Sequence, residues 1–164
     1  MTLRYFTLHN KMERARDEKR FQDALDYASE AVAMLPQFVK DVKAEYGRWD
    51  IKHSPQLEYA CKCLAVLRRR DDLQRISAML NTVPQLKEWI SYTNVAMAQT
   101  DLMDKIEALL FKNPGFIQDN LGKALGSYRS EIFEIIDFAE EMGVIHRETE
   151  GETYRLYLLK NPQA

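Results

Sequence analysis

The sequence predicts a mainly α protein: an N-terminal, repeat-like helical bundle over residues 1–100, then three further helices and a small C-terminal β-hairpin over residues 101–161. Three observations predict it. Apolar residues recur at helical spacing through most of the chain. Only 6 glycines and 5 prolines interrupt its 164 residues. Near the end, in EEMGVIHRETEGETYRLYL, the helical period gives way to two runs of branched and aromatic residues around Glu150-Gly151. With 46% hydrophobic and 29% charged residues, the composition is globular and neither disordered nor fibrous.

From Leu8 to Leu35 two amphipathic helices are expected, joined near Asp17 to Arg20. The second places Phe21, Ala24, Leu25, Ala28, Ala31, Val32 and Leu35 on one stripe. Pro36 is expected to stop it. The stretch QFVKDVKAEYGRWD continues the helical period through Phe38, Val42, Tyr46 and Trp49, and HSP at 53–55 breaks it. A second possible hairpin, QLEYACKCLAVLRRR with DDLQRISAMLNTVP, ends in Pro84. Further on, Asp101 is placed to cap a helix with Leu102, Ile106, Leu109 and Leu110 on its apolar stripe, and Lys112-Asn113-Pro114-Gly115 ends it. A short helix over QDNLGKALG, a sharp turn at Gly126-Ser127 and a longer helix from about Tyr128 to Met142 precede the hairpin.

Two resemblances follow from these residues. Residues 8–36 resemble a tetratricopeptide-type helical hairpin, with Phe21, the small Ala24 and Ala31, and Pro36 in the matching places. The Pro36 to Pro84 spacing is well over that family's roughly 34-residue period, so no true repeat is claimed. Residues 104–159 are similar to a winged helix-turn-helix domain. Leu121 and Leu125 match its second helix and Gly126 its turn, while Ile132, Ile136 and Ala139 match the buried stripe of its third helix. Met142-Gly143-Val144-Ile145 match the exit into the wing, where Val144 to Glu148 would pair with Thr153 to Leu158 around a turn at Thr149 to Glu152.

The winged-helix resemblance implies binding to double-stranded DNA, as a transcription regulator whose third helix enters the major groove. The residues suited to phosphates and base edges are Lys123, Ser127, Tyr128, Arg129, Ser130, Arg147 and Arg155. Charge opposes this reading. Residues 1–100 carry 16 Lys/Arg against 13 Asp/Glu, whereas residues 101–164 carry 7 against 12. On the third helix Ser130, Glu134, Asp137 and Glu141 line up opposite the apolar stripe, and each like-charge contact with phosphate costs on the order of 1 kcal/mol even in water.

Three accounts stay open. DNA is touched only by the amino end of that helix and by basic residues elsewhere, such as Arg68-Arg69-Arg70 and Arg75. Alternatively, the acidic ridge docks on a basic partner or on the chain's own basic half. In the third account the ridge is simply solvated. The apolar arc, including Ile135 and Phe138, is wider than two short helices and a wing require. Glu134, Ile135, Asp137, Phe138 and Glu141 are therefore the candidate protein-interaction residues, facing a protein partner or a second subunit. In outline, helical repeats followed by a winged helix also resemble PCI-type scaffold domains, which implies an interaction adaptor.

Other chemistry finds little foothold. No Gly-rich phosphate loop, nucleophile elbow or paired metal-ligand spacing occurs, and His9, His53 and His146 are widely separated. Cys61 and Cys63 fall on nearly opposite faces of a helix and read as ordinary thiols. No catalytic residue, metal or cofactor is expected, and no enzyme. No stretch approaches the roughly 18 apolar residues of a membrane span. The opening residues lack the pattern of a signal peptide, so a cytoplasmic location is expected and no membrane partner.

Overall fold

Two helical hairpins closed by the same kind of turn build the first half of the molecule. In the computed structural model, which describes residues 2–159, α1 (Thr2–Asp17) turns into α2 (Phe21–Ala33), and α4 (Pro55–Val66) turns into α5 (Arg70–Asn81). Each first helix ends in a residue with positive φ, Lys19 at 60° and Arg68 at 57°. The next amide reaches back to close the last turn, Arg20 N–H to the Ala15 carbonyl and Arg69 N–H to that of Leu64. This is the Schellman arrangement, built here on basic residues where glycine is the usual occupant. With the turns superposed in sequence, Leu8 corresponds to Leu57, Ala24 to Leu73 and Ala31 to Leu80, all buried.

Between the hairpins α3 (Leu35–Tyr46) packs on α1 and α2. Pro36, expected to stop the second helix, instead occupies the first turn of the third, where its missing N–H costs nothing; the break falls at Met34. Gly47, at φ 74°, ends α3 before the expected period reaches Trp49. Ser54 caps α4 by accepting the Leu57 N–H and also hydrogen-bonds the Tyr5 hydroxyl, which ties the start of α1 to the start of α4.

After a 3-10 turn over Pro84–Trp89, α6 runs unbroken from Ile90 to Lys112. At 23 residues it is about 34 Å long, and it carries the chain from one core to the other. Asp101 therefore caps nothing. It lies inside the helix, with its carboxylate 2.9 Å from Arg70 of α5. The Asn113–Gly115 turn leads into β1 (Phe116–Ile117), α7 (Leu121–Leu125), α8 (Arg129–Glu141), β2 (Ile145–Glu150) and β3 (Thr153–Leu158).

The three strands form an antiparallel sheet in the order β1-β3-β2. The hairpin is tighter than expected: Glu150 pairs with Thr153, so only Gly151 and Glu152 form the turn, with Gly151 at φ 60° as a type II′ turn requires. Phe116 and Ile117 pair with Leu156 and Arg155, a third strand that the sequence pattern does not announce. Residues 160 and 161 of the expected C-terminal unit lie outside the described residues.

Two cores result. One gathers α1 to α5 and the first turns of α6 around Leu8, Leu35, Phe38, Leu57, Leu73 and Leu80; the other gathers the second half of α6, α7, α8 and the sheet around Met103, Ile106, Leu121, Ile132, Ile136 and Leu156. Phe138 and Met142 of α8 pack against both. No helix among the described residues is long and apolar enough to cross a membrane.

Candidate functional site

Helix α8 is the element on which every expected role converges, and it is covered on two sides. Ile132, Ile135, Ile136 and Ala139 are buried. Its amino end is set by the tight α7–α8 turn: Gly126 is left-handed, Ser127 N–H donates to the Gly122 carbonyl, and a Cβ on Gly122 would stand 2.8 Å from the Ser127 carbonyl oxygen. Only glycine allows that approach. Tyr128 is the residue before the helix and gives no side-chain cap.

The acidic ridge divides into two edges. Glu134 and Glu141 face the helical bundle: Lys62 of α4 donates to Glu134, Gln99 of α6 donates to its other oxygen at 3.2 Å, and Arg16 of α1 meets Glu141 at 3.0 Å. Phe138 sits between them. Its ring lies 5.9 Å from that of Tyr59, with the Lys62 ammonium 5.6 Å and the Arg16 guanidinium 5.8 Å from its centroid. The guanidinium also stacks over Tyr59 at 4.4 Å. Burial alone would discourage both cations. The facing carboxylates win, Glu141 for Arg16 and Glu134 with Glu58 for Lys62, and hold both groups above their ordinary pKa.

Asp137 and Glu140 form the outer edge, and the β2–β3 hairpin answers them. Arg147 of β2 spans both carboxylates, at 2.9 Å and 2.7 Å, and lies over the Tyr154 ring at 4.9 Å. Its side chain is only 17% exposed, and Glu140 first among its neighbours raises its pKa. The ridge is thus not a bare carboxylate row: each of its acids has a cation within the chain, although Asp137 keeps 60% of its side chain exposed.

The remaining DNA-suited residues are Arg155 on the sheet and a group around the α7–α8 turn. Arg155 pairs with Glu150 at 3.1 Å and donates to the Gly115 carbonyl. Arg129 lies over the Phe133 ring at 4.6 Å, with Asp119 at 3.4 Å. Tyr128, 78% exposed, and Ser130 project at the amino end of α8, and exposed Lys123 lies on α7 just before the turn; Ser127 is half-buried in it.

The arginine triplet does not join them. Arg68 and Arg70 flank the α4–α5 turn and are held by α6, Arg68 on Glu107 at 2.7 Å and Arg70 on Asp104 at 2.6 Å. Of the expected protein-interaction residues, Ile135 is buried, Glu134, Phe138 and Glu141 are engaged with the bundle, and Asp137 with Arg147 of β2.

Lys62 and Arg16, the two cations that receive α8, carry no sequence signal. Lys62 is the one basic residue of α4, whereas Arg16 is one of four on α1, and nothing in either helix's pattern sets them apart. Cys61 and Cys63 are both buried in α4, and burial pushes each thiol up to about 12. No family model, curated protein or solved structure matches the chain.

Proposed function

We propose that this protein is a protein-interaction adaptor: a helical bundle that offers its surface to partners, closed at one end by a winged helix-turn-helix unit docked in cis through α8. The observation that carries the reading is the disposition of α8. The helix that would enter a DNA groove has Glu134, Phe138 and Glu141 committed to α1, α4 and α6, and its outer carboxylates are clamped by Arg147. A phosphate backbone would have to displace that arginine and then meet Asp137 and Glu140. The helix-strand-helix-helix-hairpin order and the β1-β3-β2 sheet support the winged-helix assignment of the C-terminal unit.

A second reading is favoured by one feature. The exposed Tyr128, Arg129 and Ser130 at the start of α8, with Lys123 nearby, form the part of a recognition helix that first reaches base edges, as in a DNA-binding transcription regulator. Measuring duplex DNA binding at about 50 and 200 mM salt separates the two. The adaptor reading expects no salt-dependent binding by the native chain. Binding that falls steeply with salt and is lost in Arg129→Ala would replace it with the second reading.

A further inference from the structure

Helices α2 and α5 both lie on α4 without packing substantially on each other, and the space between them is a trough of about 460 Å³. Both walls are helical faces. Leu25, Ser29 and Val32 from α2 recur at the one-face spacing, as do Asp72, Ile76 and Met79 from α5, with Leu64 of α4 beneath. The floor is hydrocarbon: Leu25, Val32 and Leu64 are buried beneath the half-exposed Ile76 and Met79. The lined stretch of α2, from Gln22 to Ala33, is about 16 Å long at the helical rise, or three turns.

At one end the trough runs into a polar basin of about 320 Å³, and Arg69, Asp72 and Arg75 line both. Arg68 and Arg70 also border the basin but are held by Asp101, Asp104 and Glu107. Arg75 is open to an incoming chain. Its side chain is 76% exposed, and its partner is Asp72, three residues earlier on the same helix, at 3.0 Å. A surface pair of that kind is worth about 1 kcal/mol or less and exchanges readily for a better placed carboxylate.

We infer that the trough is a docking site for an amphipathic α-helix of a partner protein, about three turns long, with an apolar stripe against Ile76 and Met79 and an acidic residue against Arg75. This rests on the adaptor reading above. A helix is the occupant the walls fit, because two helical faces offer ridges for a third helix to seat in. Every strand among the described residues lies in the other half, so this half offers no sheet edge for an extended peptide to join. The unbranched, polarizable Met79 suits a surface that adapts to apolar side chains. Arg75 beside the floor supplies the charge that selects and orients the helix.

The test is selection of a displayed library of random 16-residue peptides on the full chain, with Ile76→Lys as the counter-selected protein. Arg75 is exposed and Ile76 is half-buried against the first core, so thermal melting of each variant establishes that it folds. The expected result is enrichment of sequences with apolar residues at i, i+4 and i+7 and an acidic residue at one end. Their binding should fall at least tenfold on Ile76→Lys, and Arg75→Glu should shift the preference from acidic to basic residues at that end. Enriched peptides that bind Ile76→Lys equally well, or with no helical period or acidic bias, overturn the trough while leaving an adaptor with another surface. No enrichment at all also overturns it. If that failure comes with salt-dependent DNA binding, the adaptor reading falls too.

Discussion

The two faces of α8 are built from different materials. Toward the sheet and α6 it presents Ile132, Ile136 and Ala139, all fully buried hydrocarbon. Toward the bundle it presents Glu134 and Glu141 on either side of Phe138, met by Lys62, Arg16 and the Tyr59 ring. The first face is driven by area removed from water and accepts any well-packed apolar neighbour. The second gains less energy, because its ions lose hydration as they pair, but it fixes which helix sits where. The apolar face thus holds the C-terminal unit together, whereas the charged face decides how that unit is placed on the bundle.

Substitutions should expose this division, and the largest effect belongs to the apolar face. Ile136→Ala, at a residue with no exposed surface, should cost about 3 to 4 kcal/mol by urea denaturation, within the range for buried aliphatic truncations. Next comes Phe138→Ala. It removes a ring shared by both cores and by two cations, and about 2 to 3 kcal/mol is expected, since the ring is only partly buried. A comparable or larger loss than Ile136→Ala would mean that the charged face, and not the hydrocarbon face, holds α8.

Glu141→Gln should cost about 1 to 2 kcal/mol, the worth of a charge-assisted bond at a part-buried site. The smallest effect is Arg147→Ala, about 1 kcal/mol: the arginine itself is only 17% exposed, but its partners Asp137 and Glu140 stay open to water, so its removal strands no buried charge.

The charged face also sets a pH window. Lys62 has its pKa raised above the ordinary 10.5, so its contribution is fully present below that value and is lost as pH rises through the higher folded value. Glu58, its second partner, is partly buried, which raises its pKa, but His53 and Lys62 outweigh this and lower it below 4.5. Its contribution is therefore present above 4.5 and lost as pH falls through the lower folded value. Thermal melts should show a plateau between about pH 5.5 and 8, since the buried Cys61 and Cys63 thiols, pushed up to about 12, cost stability once unfolded thiols begin to ionise, and Lys62→Met should soften only the later part of the alkaline fall. An alkaline fall unchanged in that variant would assign it to other groups; the buried thiols of Cys61 and Cys63 and the Tyr5 hydroxyl, each pushed up to about 12, are the ones that would produce it.

Local features were legible in the sequence to different degrees. The stripe of α2, the buried stripe of α8 and the Gly151 hairpin follow from period and turn chemistry, and the structure holds all three. Pro36 and Asp101 misled for the same reason: each residue type is found both at a boundary and elsewhere. Only the neighbouring chain, Met34 before Pro36 and Arg70 across from Asp101, settles which. Strand β1 is two residues long and owes its existence to Leu156 and Arg155, some forty positions away, so no local pattern could reveal it.

The acidic ridge was visible as a row of carboxylates at helical spacing. Its partners were not, because Arg16, Lys62 and Arg147 come from three elements whose approach to α8 is decided by packing. For the same reason the DNA-suited set divides: Lys123, Ser127, Tyr128, Arg129 and Ser130 lie around the α7–α8 turn, while Arg147 and Arg155 are engaged on the sheet.

A charge-exchange cycle tests most directly whether the acidic edge of α8 is spent inside the chain. Melting is compared for the native protein, Lys62→Glu, Glu134→Lys and the double variant. Docking in cis predicts that each single reversal lowers Tm and that the double variant recovers most of the loss, a coupling of about 1 kcal/mol or more. A double variant whose loss equals the sum of the two singles would contradict it, leaving Glu134 open to an outside partner.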